Sequence, residues 1–348
     1  MDDDLAIMAG HIGRIKDAAL EIGRDVTLME ICGGHTNVIM KHGIRDIMPK
    51  NIRLISGPGC PVCVSSQYDI DCTVELARRG VPVATYGDML RVPGSRYSLE
   101  DARSTGGRVF EVYSAAEVLA IKKKYSRVVF FGIGFETTAP MSAYLLSKGV
   151  CVYSVHKLVP PAMKALLKGE VKLDGFIDPG HVSTITGVRP YREIEVAQVI
   201  TGFTPERILR GISVLCGLVR DGKRVVVNGY PEAVREDGNV LAQRMIDEQF
   251  HVCDSEWRGL GAIPRSGLEV RDDALNAKVK YKDVIDSVPV PGKTGCRCGD
   301  VLTGVIEPTD CALYARSCVP GNPKGACMVS DEGSCAIYFR NGVPGEGV

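Results

Sequence analysis

Cys32 and His35 stand three residues apart in one glycine-containing stretch, and Cys60 and Cys63 repeat that interval in another. These four donors are of the kind that bind metals or exchange disulfides, and three chemistries fit their spacing. Cys60-Pro61-Val62-Cys63 alone could cycle between dithiol and disulfide, which leaves Cys32 and His35 without a role. All four together would make a closed Cys3His zinc site. Thiolates of Cys32, Cys60 and Cys63 could instead hold iron, or another soft metal, at an open working position. Spacing leaves all three open. A structural zinc usually staples loops that lack a core, whereas these cysteines follow apolar runs that promise one.

A second group, Cys311, Cys318, Cys327 and Cys335, is separated by six, eight and seven residues, with Cys296-Arg297-Cys298 just ahead. Zinc ribbons show paired CxxC knuckles, which are missing here; spread thiolates on separate loops suit the corners of a 4Fe-4S cube. Zinc is the competing reading, and Cys296 or Cys298 could replace one of the four ligands or act as a redox thiol beside the cluster. Cys72, Cys151, Cys216 and Cys253 lie in apolar surroundings and read as small buried hydrophobes. His156 and Trp257 read as packing residues, and Met141 and Met163 as helix core positions.

The elements that carry these residues alternate. Leu5, Met8, Ile12, Ile15, Ala19 and Ile22 recur at helical spacing, so residues 5–22 form an amphipathic helix. Short β-branched runs at 26–31, 52–55 and 81–84 follow, with a helix over 68–79 that stops at Gly80. After a helix at 115–124 come strands near 128–131, 150–155, 175–177 and 197–200, with helices at 139–147 and 161–167 between them and at 206–220 behind. Such alternation implies an α/β fold of parallel sheets with helices on both faces. The expected units are an N-terminal helix (1–24), an α/β domain with the Cys32/Cys60/Cys63 site (25–115), a second α/β domain facing it across a cleft (116–235), and an irregular cysteine-bearing domain (236–348). From Val288 the chain is rich in Gly, Pro and Cys with few apolar runs, so a metal centre rather than hydrophobic packing is expected to hold it.

Five strands run into glycine-containing turns bearing reactive groups. Besides the two loops above these are Tyr86-Gly87-Asp88, Gly134-Phe135-Glu136-Thr137-Thr138 and Asp178-Pro179-Gly180-His181. One such loop is usually just a tight turn; five at the same strand ends mark a ligand face, because open parallel sheets bind ligands at their carboxyl ends. Glu136, Asp178 and His181 would line a wall facing the cysteines. Nucleotide motifs fail: no third glycine follows Gly132 and Gly134, and Ser287 stands where a phosphate loop ahead of Pro291-Gly292-Lys293-Thr294 needs glycine.

The 42 basic and 42 acidic residues balance without a basic run, which argues against nucleic acid and anionic membranes as partners. The acidic start Met1-Asp2-Asp3-Asp4 is unlike a signal peptide, and no apolar stretch would span a bilayer, so a cytoplasmic protein is expected. In that reducing compartment closely spaced cysteines point to metal or redox work.

These strings resemble the HypD family of nickel–iron hydrogenase maturation factors over nearly the whole chain. The resemblance rests on Cys32-Gly33-Gly34-His35-Thr36, Gly57-Pro58-Gly59-Cys60-Pro61-Val62-Cys63, Gly134-Phe135-Glu136-Thr137-Thr138-Ala139-Pro140, Pro179-Gly180-His181-Val182, Trp257-Arg258-Gly259-Leu260-Gly261 and the tail Cys327 to Cys335. Gly34 and Ser334 depart from the usual Thr and Ala, and neither is a ligand. The resemblance implies a scaffold on which the Fe(CN)2CO part of the hydrogenase centre is assembled, with redox activity of its own. Its partners would be a small HypC-type protein sharing the iron and a HypE-type protein delivering cyanide. By motif, Cys32, Cys60 and Cys63 would bind iron, and His35 would be a nearby ligand, base or orienting group. A 4Fe-4S cluster would supply electrons or reset a Cys60–Cys63 disulfide, and Glu136 and His181 would handle protons or polarise a diatomic ligand. The competing function is an iron–sulfur-linked thiol–disulfide oxidoreductase using Cys60 and Cys63.

Overall fold

The computed structural model describes residues 2–292 and 294–342. Met1 of the acidic start, Lys293 of the rejected phosphate loop and residues 343–348 of the C-terminal segment lie outside the described residues. Among the described residues eleven strands form two sheets: β1 (Val26–Glu30), β2 (Ile52–Ser56), β3 (Val83–Tyr86), β4 (Val109–Val112), β5 (Val129–Gly134), β6 (Cys151–Lys157), β7 (Gly175–Pro179), β8 (Ala197–Thr201), β9 (Val226–Asn228), β10 (Phe250–Trp257) and β11 (Gly261–Val270). Every residue of β5 to β8 is buried, the mark of strands covered on both faces.

The first sheet has the order β2-β1-β7-β8-β9 and is parallel throughout. The second runs β10-β11-β6-β5-β3-β4, parallel from β6 to β4, with the β10–β11 hairpin added antiparallel along β6. The α/β class and the helix-covered parallel sheets are therefore as expected. Pairing does not follow chain order, however. Residues 25–115 contribute β1 and β2 to one sheet and β3 and β4 to the other, and residues 116–235 are divided likewise. A parallel strand is reached by a long crossover, and periodicity does not say in which sheet that crossover lands.

Three apolar layers result. Helices Asp2–Ile22 and Pro205–Arg220 cover the outer face of the first sheet, burying Ile15, Ala18 and Ala19 with Ile208, Ile212 and Leu215 against Val26, Leu28, Leu54 and Val199. Helix Ala139–Ser147 closes the far face of the second sheet. The middle layer joins Met29, Ile31, Ile55 and Phe176 of the first sheet to Val83, Phe131, Tyr153 and Val155 of the second, and continues into Leu302, Tyr314, Met328 and Tyr338 of the tail. The tail thus shares the central core, contrary to the expectation that hydrophobic packing would not hold it. Apart from Tyr314, these residues sit on helices of four to seven residues (Cys298–Leu302, Ala326–Val329, Ser334–Arg340), too short to show a period.

The β10–β11 hairpin escapes sequence reading because β10 is an edge strand with mostly exposed or half-buried residues. Cys253 on it is only half-buried, and Met141 is 39% exposed, so neither is the core residue expected. Cys72, Cys151, Cys216, His156, Trp257 and Met163 are buried as expected. Among the described residues no helix is long and apolar enough to cross a membrane.

Candidate functional site

The carboxyl ends of β1, β2, β7 and β8 converge on the cysteines. Just past β1, Cys32 is the N-cap of helix Gly33–Lys41, in extended conformation. Past β2, the Gly57-Pro58-Gly59 turn lies directly on it: the Gly33 N–H donates to the Gly59 carbonyl (3.2 Å), and a Cβ on Gly59 would stand 2.4 Å from Cys32 Cα. Only glycine permits that approach, and it brings Cys60 next to the Cys32 loop. Cys60 caps the single turn Pro61–Val64, its Sγ accepting the Cys63 N–H at 3.2 Å. The Cys60 and Cys63 sulfurs are 2.6 Å apart and both are buried. Burial pushes the Cys63 thiol well above its ordinary range, and burial together with Glu332 and Glu30 pushes half-buried Cys32 up to about 12. A soft metal cation is what would stabilise thiolates in so apolar a place.

His35, fully buried, hydrogen-bonds through Nε2 to the Gly202 carbonyl (3.2 Å) beyond β8 and stacks on Phe203 at 4.6 Å. His181, beyond β7, stacks on the same ring at 3.9 Å. Both histidines therefore belong to this end of the sheet. Burial lowers His35 to about 4, so it is neutral at pH 7, and burial lowers His181 as well. Asp178 is fully buried, with no hydrogen-bond partner for either carboxyl oxygen among the described residues, and burial raises it well above the usual carboxylate range.

Glu136 is placed differently. One carboxyl oxygen accepts the Val159 N–H (3.0 Å), the other has no hydrogen-bond partner among the described residues, and burial raises the group to about 7. It borders a cavity of about 640 Å³ between Leu158, Pro161, Ile185, Ile246 and Leu268, whose walls include none of Cys32, Cys60, Cys63, His35 or His181. Buried Tyr191, whose hydroxyl accepts from Ser183 at 3.0 Å, is raised by burial and then by the nearby carboxyl groups of Asp178 and Glu136.

Glu30 was not singled out from the sequence, although it closes β1 two residues before Cys32. It is 1% exposed, accepts the Cys32 N–H at 3.1 Å and the Thr36 hydroxyl, and is raised by burial to about 7. An acid amid apolar strand residues was the available signal, since a buried carboxyl without a task is expensive.

All six C-terminal cysteines, 296, 298, 311, 318, 327 and 335, border one cavity with Val301, Leu313, Tyr314 and Met328. Cys298 and Cys327 sulfurs lie 2.7 Å apart, with Cys296 beside Cys298 and Cys335 beside Cys327. Cys327 further contacts Cys63. The two cysteine groups, far apart in sequence, are thus one continuous line of sulfurs from Cys60 to Cys296. The contacts are pairwise, thiol on thiol, and only about 10 Å³ is free between the walls. In keeping with that, no three His, Cys, Asp or Glu side chains among the described residues surround a common point as metal ligands do. The donor set, six thiols in an apolar wall, fits an iron–sulfur cluster, whose entry requires the thiols to separate.

The family model for HypD, described as the hydrogenase formation hypA family, matches residues 6–342. A hydrogenase maturation factor HypD of Cupriavidus necator is 41% identical over 351 residues, covering 94% of this chain and 93% of that relative. One of the same description from Azotobacter vinelandii is 41% identical over 334 residues, covering 90% and 88%. A hydrogenase expression/formation protein HupD of Azotobacter chroococcum is 40% identical over 350 residues, covering 94% and 91%.

Proposed function

The chain belongs to the HypD family of hydrogenase maturation factors, and from that premise we propose that it is the scaffold on which the Fe(CN)2CO part of the nickel–iron centre is assembled. The observation that carries the reading is the meeting of Cys32 with the Cys60–Cys63 pair at the carboxyl ends of a parallel sheet, with sulfur contacts onward to the C-terminal cysteines. The iron is cargo, held by Cys32, Cys60 and Cys63, whose thiolate donors suit the low-spin metal that cyanide and carbonyl favour. Neutral His35, fixed by Gly202 and Phe203, orients or ligates beside it.

Cys311, Cys318, Cys327 and Cys335 would hold a 4Fe-4S cluster, with Cys298 and Cys296 as redox thiols or replacement ligands. Such a cluster, held by these cysteines, would supply electrons one at a time. The thiols of Cys327 and Cys63, in contact, give those electrons a short way to the pair, whose reduction from disulfide takes two electrons and two protons. His181, Asp178 and Glu30 are groups at the strand ends able to hold or pass protons; Glu136 would do so from the neighbouring cavity. If alanine at Glu136 and at His181 leaves maturation unimpaired, those two assignments fall. A HypC-type partner would share the iron and a HypE-type partner would deliver cyanide, in the cytoplasm.

The contact of Cys60 with Cys63 also favours a second reading, a self-contained thiol–disulfide oxidoreductase driven by the cluster. Anaerobic purification tests what the readings share: about four irons with labile sulfide per chain are expected, and zinc instead would overturn both. Infrared bands of cyanide and carbonyl in the complex with the small partner then support the scaffold; their absence, with a reducible Cys60–Cys63 disulfide, supports the oxidoreductase.

A further inference from the structure

The thiol line ends at Cys60, and the C-terminal segment reaches Cys32 by other contacts. Glu30 and Ser56 are cross-strand partners at the ends of β1 and β2, and the Ser56 side chain is close enough to the Glu30 carboxyl to lower it. Ser56 in turn accepts from Arg45 Nη2 at 3.2 Å. The other end of that guanidinium donates to the Tyr338 hydroxyl and to Glu307 (3.4 Å), and its plane lies over the Tyr338 ring, 5.1 Å from the centroid. Tyr338 donates to Glu307 at 3.3 Å, closing the ring of contacts. Tyr338 belongs to helix Ser334–Arg340, which also carries Cys335. On the opposite side of the Cys32 loop the same segment presses its backbone onto Gly33, where a Cβ would stand 2.4 Å from the Glu332 carbonyl oxygen. The Cys32 loop is therefore held between the Glu30 carboxyl and the tail, and both supports lead back to the segment bearing Cys327 and Cys335.

We propose that Glu30 is a positioning residue for Cys32, and that Arg45 ties that position to the C-terminal cysteine segment, so that a rearrangement of the segment is transmitted to the Cys32 loop. This deepens the scaffold reading and rests on it only for what Cys32 binds. The Glu30 carboxylate fixes the backbone at Cys32 and the hydroxyl at Thr36, one oxygen for each, and so sets the first turn of the helix that Cys32 caps. Glutamine can still accept from the Cys32 N–H with its oxygen while its NH2 donates to Thr36, so the conservative variant should rescue. Arg45 makes no contact with Cys32 itself; whatever it does there passes through Ser56 and Glu30.

The test is the alkylation rate of Cys32 by N-ethylmaleimide in the full chain, purified anaerobically and followed peptide by peptide, with buried Cys216 as the reference for global opening. Glu30→Ala should speed Cys32 about tenfold and Glu30→Gln should stay within about twofold of wild type, since loss of a charge-assisted hydrogen bond frees the loop and its replacement does not. Arg45→Met, with Glu30 intact, should speed Cys32 about threefold or more, Cys216 staying slow throughout. An unchanged Cys32 rate in Glu30→Ala overturns the positioning role, and an unchanged rate in Arg45→Met overturns the tie. If Glu30→Ala also exposes Cys216, Ser56→Ala decides in its place: faster Cys32 with slow Cys216 upholds the proposal, and no change refutes it. In the partner complex, Arg45→Met should shift the cyanide and carbonyl infrared bands with every ligand present. Lack of bands in wild type would count against the scaffold reading and leave the alkylation result standing.

Discussion

Gly59 has no room for a side chain because Cys32 occupies the place, its N, Cα and C atoms lying 2.4 to 2.6 Å from where a Cβ would be. These are backbone atoms and cannot swing aside, so Gly59→Ala should cost roughly 1–3 kcal/mol in urea unfolding, as overpacking does, and should displace Cys32. A variant as stable as wild type would mean that the two loops are not locked together. Glu136 allows a test by pH. Its native value of about 7 is raised from 4.5 by burial, so the native state binds the proton more tightly than the unfolded chain. The stability it contributes is present below pH 4.5 and is lost as pH rises through 7. Glu136→Gln should therefore gain on wild type by about 3 kcal/mol between pH 4.5 and 8, measured by denaturant unfolding at each pH. A constant difference would contradict the burial of the carboxyl. At this scale the cysteines were legible by type and spacing, because few other residues recur so closely without metal or redox work. Glu30 was not, since its value lies in what it accepts from the Cys32 backbone, and Glu136 was placed with the cysteines only because it too follows a strand.

Among the elements, helix Pro205–Arg220 was readable almost to the residue: Thr204 caps it, Ile208, Ile212 and Leu215 repeat on one face, and the helix packs that face against the first sheet and the N-terminal helix. Gly217 within it has open space where a Cβ would stand, with no atom inside 4 Å, so Gly217→Ala should stabilise the protein by about 0.5–1 kcal/mol through helix propensity alone. Measured beside Gly59→Ala, it separates glycines needed for close approach from glycines that are not. The parallel strands were legible as continuous apolar runs. Their division between two sheets was not, because the crossovers after β2, β6 and β9 carry no mark of which edge they will join. The β10–β11 hairpin went unseen for a different reason: Glu256, Asp254 and His251 face outward on an edge strand and break the apolar pattern.

For the molecule as a whole, the chain after Val288 closes the site built by residues 26–64. Its buried Cys327 meets Cys63, its Glu332 backbone meets Gly33, and its Tyr338 meets Arg45. If the six-cysteine cavity holds a metal centre, its loss should loosen this segment first, because ligation there would add folding free energy to the packing of the short helices. Hydrogen exchange after anaerobic chelation should show faster exchange over residues 296–340 with β5 to β8 still protected; equal protection before and after would mean that hydrophobic packing alone holds the tail. The central claim is that Cys32, with Cys60 and Cys63, holds the iron under assembly. The most direct measurement is the infrared spectrum of the anaerobically copurified complex with the small partner, wild type against Cys32→Ala. Cyanide and carbonyl bands should be present in wild type and absent from the variant, whereas bands unchanged in position and intensity would contradict the claim.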